Sequence, residues 1–151
     1  MNRPETEEYA PYYDTYVSLI AENGVTAELN EQAESLRAAV VGLPEERGTY
    51  AYAEGKWTVK ELLSHLIDGE RIFAYRILRI SRGDETPIEG FEQDDYIATS
   101  YANDRTFANL LDEFALERQA NLILVNNINE ETAKLIGTAS GKPVSVRALT
   151  Y

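Results

Sequence analysis

His65, the only histidine of the chain, follows a clear signal for the start of a helix. Thr58 and Glu61 have capping-box spacing, in which the hydroxyl and the carboxylate accept hydrogen bonds from backbone amides at the helix start. The pattern predicts that a helix begins at Thr58 and that His65 lies about two turns inside it. An imidazole at such a position can serve as a metal ligand or as a general base near neutral pH.

The helical period places His65 at the edge of an apolar face. At about 100° per residue, one arc of this helix collects seven apolar residues. They are Val59, Leu62, Leu63, Leu66, Phe73, Ile77 and Ile80. Spacing alone leaves two interpretations of His65, a structural histidine at the rim of the core or a metal ligand, and it favours the structural one.

Several motifs resemble the DinB-like superfamily in order and approximate spacing, over nearly the whole chain. They are Gly55-Lys56-Trp57 through His65, Asp68-Gly69-Glu70-Arg71-Ile72-Phe73-Ala74-Tyr75-Arg76, Arg82-Gly83-Asp84, Thr86-Pro87, Gly90-Phe91 with Asp94, and Ser145-Val146-Arg147-Ala148-Leu149. The resemblance implies an all-α fold, an up-and-down four-helix bundle that holds a divalent metal, Zn²⁺ or Ni²⁺, through three histidines.

In this family pattern, His65 matches the histidine of the second helix. The other two histidines come from a His-x-x-x-His or Gly-His-Glu-x-His-His pattern on the last helix, after the segment matched by Ser145 to Tyr151. Asp68 could add a carboxylate, but a catalytic zinc site normally has three protein ligands and an open position. We therefore expect one domain over residues 1–151 with a truncated last helix, a fragment of a metal site at His65 and no stably bound metal.

The resemblance also implies a class of reaction. Family members are metal-dependent transferases or hydrolases, among them thiol-dependent S-transferases, whose partners are a small-molecule thiol and an electrophile. We expect this chain to be of that type but inactive or incomplete. The alternative hypothesis is a non-catalytic, self-associating helical-bundle protein that has lost its metal site.

Composition excludes several other classes of protein. The chain has no cysteine, so it offers neither a disulfide framework nor a cysteine nucleophile. Its net charge of −12 disfavours binding to nucleic acid. No apolar run is long enough to suggest a membrane span, and the polar start lacks a signal-peptide pattern, so we expect a cytoplasmic protein.

Periodicity and turn residues predict the remaining helices. We expect a short helix from Tyr12 to Glu22 ended by Asn23-Gly24, a first long helix from Thr26 to Val41, and a short turn of helix at 92–97. A further long helix is capped by Asn103 or Asp104, and a last one by Ser145. Three long helices and a stub leave apolar surface uncovered, which favours a homo-oligomer, most simply a dimer.

Two charged residues interrupt the apolar stripes of the long helices. Glu70 and Arg118 each occupy a position that calls for an apolar side chain, so we predict a buried ion pair between them. The alternative is that both side chains reach solvent or meet separate partners.

The His65 helix also has a basic side, formed by Arg71, Arg76, Arg79 and Arg82. These arginines could steer an anionic substrate group, but a solvated face with intrahelical salt bridges is the preferred interpretation. Near the amino end, the tyrosines at positions 9, 12, 13 and 16 suggest packing against the bundle or an oligomer interface. Trp57 is expected to anchor its linker over the end of the bundle, and Asp84 to cap a loop.

Overall fold

The computed structural model describes residues 1–21 and 24–151, and this part of the chain is mostly helical. The α-helices are α1 (Asp14–Val17), α2 (Val25–Val40), α3 (Val59–Ser81), α4 (Gln93–Ala98), α5 (Phe107–Asn126), α6 (Glu130–Ala133) and α7 (Val146–Thr150). Short 3-10 helices cover Thr6–Glu8, Pro11–Tyr13, Glu45–Thr49 and Ala102–Asp104. The predicted helical fold is confirmed.

An antiparallel hairpin, which no pattern in the sequence predicted, precedes α7. Its strands are β1 (Ile136–Ala139) and β2 (Lys142–Ser145), with Ile136 opposite Ser145. Ser140 and Gly141 form the turn with positive φ angles of 50° and 72°. Strands this short, with a glycine and a proline among their residues, carry little β-propensity. The two strands are therefore stabilised mainly by pairing with each other and less by the β-propensity of their residues.

The start of α3 is as predicted. The Thr58 hydroxyl accepts a hydrogen bond from the Glu61 amide at 3.2 Å, and the Glu61 carboxylate accepts one from the Thr58 amide at 2.7 Å. The capping box thus fixes the first residue of the helix and, through the helical period, the direction of His65.

Other helix starts show one confirmed prediction and one error. Ser145 caps α7, since its Oγ accepts a hydrogen bond from the Ala148 amide. The cap of α5 is Thr106, whereas Asn103 and Asp104 belong to a separate 3-10 turn. The prediction of Asn103 or Asp104 was wrong because the backbone is extended at Arg105, after the 3-10 turn and before α5.

At the amino end, the predicted helix from Tyr12 to Glu22 is shorter than expected. A 3-10 turn over Pro11–Tyr13 leads into α1, which ends at Val17. Glu22 and the expected stop at Asn23 lie outside the described residues. The predicted first long helix corresponds to α2, and the short turn at 92–97 corresponds to α4.

Two apolar clusters lie along α3. The first joins α2, α3 and α5 and contains Val40, Leu63, Ile67, Phe107, Leu110, Leu111 and Phe114. The second joins α3, α5, α7 and the hairpin and contains Ile77, Ile80, Ile88, Val125, Ala139 and Val146. Leu62, Leu66 and Phe73 of the predicted apolar arc stay 49%, 36% and 40% exposed. Helix α7 packs beside the carboxyl-terminal half of α3, and the described residues leave these three side chains partly uncovered.

Helices α3 and α5 run in the same direction. Leu63 shares a cluster with Leu110, Glu70 meets Arg118, and Ile77 shares a cluster with Val125. The segment 82–106, which carries α4, therefore returns the chain to the end of the bundle where α3 began. A four-helix bundle was predicted correctly, but its chain order differs from simple up-and-down alternation because this connection spans the length of α3.

The predicted ion pair between Glu70 and Arg118 is confirmed. Arg118 donates from Nη2 and Nε to Glu70 Oε1 at 2.7 and 3.0 Å. The side chains are only 8% and 15% exposed. Asn121 donates to the other carboxylate oxygen, and Arg118 Nη1 donates to the Leu29 carbonyl at 2.6 Å. The pair thus connects α3 and α5 to α2.

Gly137 lies where β1 approaches α3 most closely. A Cβ at this position would lie 2.6 Å from Cγ1 of Ile80, which is 2% exposed. Gly137→Ala is expected to lower the free energy of unfolding by about 1–3 kcal/mol, since a packed core accommodates added volume poorly. Urea denaturation followed by circular dichroism measures this change.

The matched control is Gly42→Ala, because a Cβ at Gly42 has no neighbour within 4 Å among residues 1–21 and 24–151. It should change stability by less than about 0.5 kcal/mol. Equal effects of the two substitutions would contradict close packing of β1 on α3.

Candidate functional site

A partly open cavity of about 460 Å³ lies beside α3, bordered by the amino-terminal segment, the hairpin and α7. From α3 it is lined by His65, Leu66, Gly69, Glu70, Phe73 and Arg76. Tyrosine rings, Pro143, Val144 and Leu149 form much of the remaining wall. This size and mostly apolar character are typical of a pocket for a small organic molecule.

His65 is half-buried at one end of this cavity. Its ring lies 4.7 Å from the ring of Trp57, with 47° between the two planes. The imidazole makes no hydrogen bond within residues 1–21 and 24–151. Trp57 thus packs over the histidine at the end of the bundle where we placed it, and the ring nitrogens are left without a protein partner in the described part of the chain.

The described residues do not fit a three-ligand metal site. Within them, no three side chains of the His, Cys, Asp or Glu type are close enough together to hold one ion. Glu70 lines the cavity with His65, but Arg118 and Asn121 occupy its carboxylate. A metal bound by His65 would need donors other than these residues.

Asp68 faces a different cavity from the one that His65 lines. It lies beside Arg71, Tyr96 and Arg105 in a polar pocket on another side of α3. Burial raises the pKa of Asp68, although the nearby charges of Arg71 and His65 lower it. Asp68, which the sequence suggested as a second ligand, thus shares its pocket with two arginines. It gives no support to the prediction that His65 is a metal ligand.

The tyrosines near the amino end fulfil two roles. Tyr9 is buried and donates a hydrogen bond to Asp14 at 2.9 Å, as expected for a packing residue. Tyr12, Tyr13 and Tyr16 are exposed and form the rim of the cavity, which the sequence analysis did not foresee.

A buried ion pair holds this amino-terminal wall in place. Glu8 accepts hydrogen bonds from Ser145 Oγ at 2.6 Å and from Arg147 Nε at 2.7 Å. Burial alone raises the pKa of Glu8, but the hydrogen bonds from Arg147 and Ser145 outweigh it and bring the pKa below its ordinary value. No local sequence signal indicates this pair, because its members lie at opposite ends of the chain.

The basic side of α3 is solvated at Arg71 and Arg82, as expected, but its salt bridges are not intrahelical. Arg71 pairs with Glu113 and Glu117 of α5, and Arg79 pairs at 2.6 Å with Asp84, in the loop after α3. Asp84 also accepts a hydrogen bond from the Thr86 amide, which confirms its loop-capping role. The partners lie off the helix because α5 and the following loop bring carboxylates closer than α3 itself does.

Arg76 is buried at the far end of the cavity from His65. It donates from Nη2 to Ser140 Oγ at 2.9 Å and to the Glu89 carbonyl at 3.3 Å. The guanidinium carbon lies 5.5 Å from the centre of the Phe73 ring.

The family model of the DinB superfamily matches residues 28–151. This chain belongs to the DinB superfamily. The fold of this DinB superfamily chain is similar to a solved structure, that of YfiT from Bacillus subtilis. YfiT is described as a probable metal-dependent hydrolase with an unusual four-helix bundle topology. The two share a TM-score of 0.76 at 15% identity, over 85% of this chain and 74% of YfiT.

A curated relative of this DinB superfamily chain comes from Geobacillus thermodenitrificans (strain NG80-2) and bears the name "Putative metal-dependent hydrolase". The two are 33% identical over 76 residues, which is 50% of this chain. The match spans 43% of that relative's length. As for membranes, no helix in the described ranges has the length and hydropathy needed to cross one.

Proposed function

We propose that this DinB superfamily chain forms the substrate pocket of a metal-dependent enzyme in which His65 is a metal ligand. One observation carries the proposal: a half-buried imidazole without a hydrogen-bond partner among the described residues lies at one end of a largely apolar cavity of about 460 Å³. The names of the two relatives support the proposal that a metal is bound. The described residues do not supply the other ligands, so these would have to come from other donors.

The reaction that we propose is a nucleophilic transfer to a small electrophile bound in the cavity. Water would be the nucleophile in a hydrolase, and a small-molecule thiol in a thiol-dependent S-transferase, as the resemblance implies. Since the chain has no cysteine, a thiol has to come from a partner molecule. We place the protein in the cytoplasm, where such thiols are kept reduced.

Elemental analysis of freshly purified protein tests the metal, after expression in cells supplied with Zn²⁺ and Ni²⁺. We expect more of one of these metals in the unaltered protein than in His65→Ala, since the imidazole is a direct ligand in this proposal. Asp68→Asn is the matched control, because Asp68 lies in another cavity and should leave the metal content unchanged. An unaltered protein with no more metal than His65→Ala contradicts the proposal.

A second candidate function is self-association without catalysis. The exposed side chains of Leu62, Leu66 and Phe73 lie along one face of α3, and contiguous apolar surface of this kind favours association. The occupant that we consider is a second copy of this chain in a homodimer. Absence of metal above background, together with a dimer whose population rises with concentration in sedimentation, would favour this function over the first.

A further inference from the structure

Arg76 is the buried cation of the His65 cavity that lacks a carboxylate partner. The residue is 6% exposed, and no Asp or Glu side chain of residues 1–21 and 24–151 forms an ion pair with it. Burial lowers the pKa of Arg76, but a guanidinium stays protonated in proteins. A buried charge without a counterion is costly, so this position calls for an explanation.

The hydrogen bonds of Arg76 are also incomplete. A guanidinium has five N–H groups, and the two on Nη2 are used by Ser140 and the Glu89 carbonyl. Nε is buried and has no acceptor in the described ranges. Nη1 likewise donates to no described residue. Nε is therefore a buried donor without the acceptor that it requires, and the two N–H groups of Nη1 have no acceptor among the described residues.

The other arginines of the same helix show that this is specific to Arg76. Arg71 and Arg79 both have carboxylate partners, and Arg82 is exposed to solvent. In the sequence pattern, the four arginines form one basic side of α3. In the tertiary structure, Arg76 alone of the four is buried next to the cavity without an ion-pair partner among the described residues.

Among the described residues, the unpaired side-chain charges that line the cavity are positive, like that of Arg76. Glu70 lines it, but Arg118 neutralises this carboxylate. Lys142 also lines the cavity and has no ion-pair partner within the described residues. In a protein of net charge −12, the cavity thus presents two cations and no unpaired acidic side chain from the described residues. Low-dielectric walls strengthen the attraction of such a site for an anion.

We infer that Arg76 makes the His65 cavity a binding site for a small organic anion, with its oxyanion at Arg76 and its apolar body along Phe73 and the tyrosine rings. The inference rests on the proposed function only in taking this cavity as the substrate pocket. It adds the substrate class, an elongated apolar molecule with an anionic end.

The helical period explains the shape of this substrate. His65 and Arg76 are eleven residues apart on α3, so they lie on the same face, about 16 Å apart along the axis at 1.5 Å per residue. Phe73 lies between them, with its ring 5.5 Å from the guanidinium carbon. An anion held at Arg76 therefore directs the other end of the molecule toward His65, and Arg76 is a specificity-determining residue.

Isothermal titration with a matched pair of probes tests the inference. The probes are 4-phenylbutyrate and its neutral amide, 4-phenylbutanamide, which differ in charge at one end. We expect the carboxylate to bind the unaltered protein about tenfold more tightly than the amide, because charge-assisted hydrogen bonds exceed neutral ones in strength. Salt should weaken binding of the carboxylate more than that of the amide.

Variants of α3 locate the effect. Arg76→Gln should weaken 4-phenylbutyrate binding about tenfold and leave the amide unaffected, while Arg76→Lys should retain part of the preference as a point charge. Arg82→Gln is the matched control, since it removes the same charge from an exposed position outside the cavity. Circular dichroism confirms folding, and Arg76→Lys decides the result if Arg76→Gln does not fold.

Three results would overturn the inference: equal affinities of the two probes, binding of neither probe, or an unchanged preference in both Arg76 variants. Equal affinities would mean that water, and not a ligand anion, accepts the remaining hydrogen bonds of the Arg76 guanidinium. Metal content is measured on the same samples and should not differ between the unaltered protein and Arg76→Gln. If metal is absent while binding of 4-phenylbutyrate depends on Arg76, the metal proposal fails and the anion site stands.

Discussion

Arg118→Met is expected to lower the free energy of unfolding by about 3–5 kcal/mol, because it leaves the Glu70 carboxylate buried without its cation. Among the described residues, Glu70 would retain only Asn121 as a side-chain donor, and the Leu29 carbonyl of α2 would lose the Arg118 donor. Urea denaturation monitored by circular dichroism gives the change in unfolding free energy.

The control for charge removal is Arg37→Met. Arg37 pairs with Asp112 between α2 and α5, but both side chains are exposed, and such pairs contribute less than about 1 kcal/mol. The double variant Glu70→Leu with Arg118→Met should recover most of the lost stability, because no charge is left unpaired. A single variant as stable as the unaltered protein would show that the pair does not hold the helices together.

Arg147→Met is expected to cost a similar amount, about 3–5 kcal/mol at neutral pH, and to free the amino-terminal wall of the cavity. The guanidinium and the carboxylate of Glu8 are both buried, so the substitution leaves an uncompensated anion. We expect faster cleavage before α1 in limited proteolysis and weaker binding of 4-phenylbutyrate, since Tyr9, Tyr12 and Tyr13 line the cavity.

The same pair gives a pH dependence with a defined sign. The pKa of Glu8 lies below the ordinary value of 4.5, since the hydrogen bonds from Arg147 and Ser145 outweigh the effect of burial. Its contribution to stability is therefore fully present above pH 4.5 and is lost as the pH falls through the lowered pKa. Glu8→Gln should remove this part of the acid sensitivity, whereas Glu7→Gln, at an exposed neighbouring position, should retain it. Identical acid profiles of Glu8→Gln and the unaltered protein would exclude the ion pair as its source.

Features set by a few neighbouring residues could be predicted from the sequence. The capping box of Thr58 and Glu61 needs only residues of one turn, and it fixed the start of α3 and the inward direction of His65. The pairing of Glu70 with Arg118 could also be predicted, although the two are far apart in the chain. Each interrupts an apolar stripe, and a buried charge needs an opposite one.

Other features that depend on distant segments could not be predicted, because no residue of the sequence pattern indicated them. Local patterns favoured Asn103 or Asp104 as the cap of α5, whereas in the structure these residues belong to a separate 3-10 turn and Thr106 is the cap. The hairpin could not be predicted from local patterns, because each strand is stabilised by its partner strand and by packing of Gly137 on Ile80. The parallel course of α3 and α5 is likewise decided by how the long connection crosses the bundle.

By itself the sequence determined the helical fold, the position of His65 on α3 and the need for a partner at Glu70, because periodicity, capping and the cost of buried charge can be read from local patterns. The DinB resemblance came separately, from motifs matched in order and approximate spacing. The tertiary structure alone decided that Glu8 pairs with Arg147, that Asp68 lines a different cavity from His65, and that Arg76 is buried beside the cavity without an ion-pair partner among the described residues. Which charges become neutralised depends on which segments meet in space, and no local pattern carries that information.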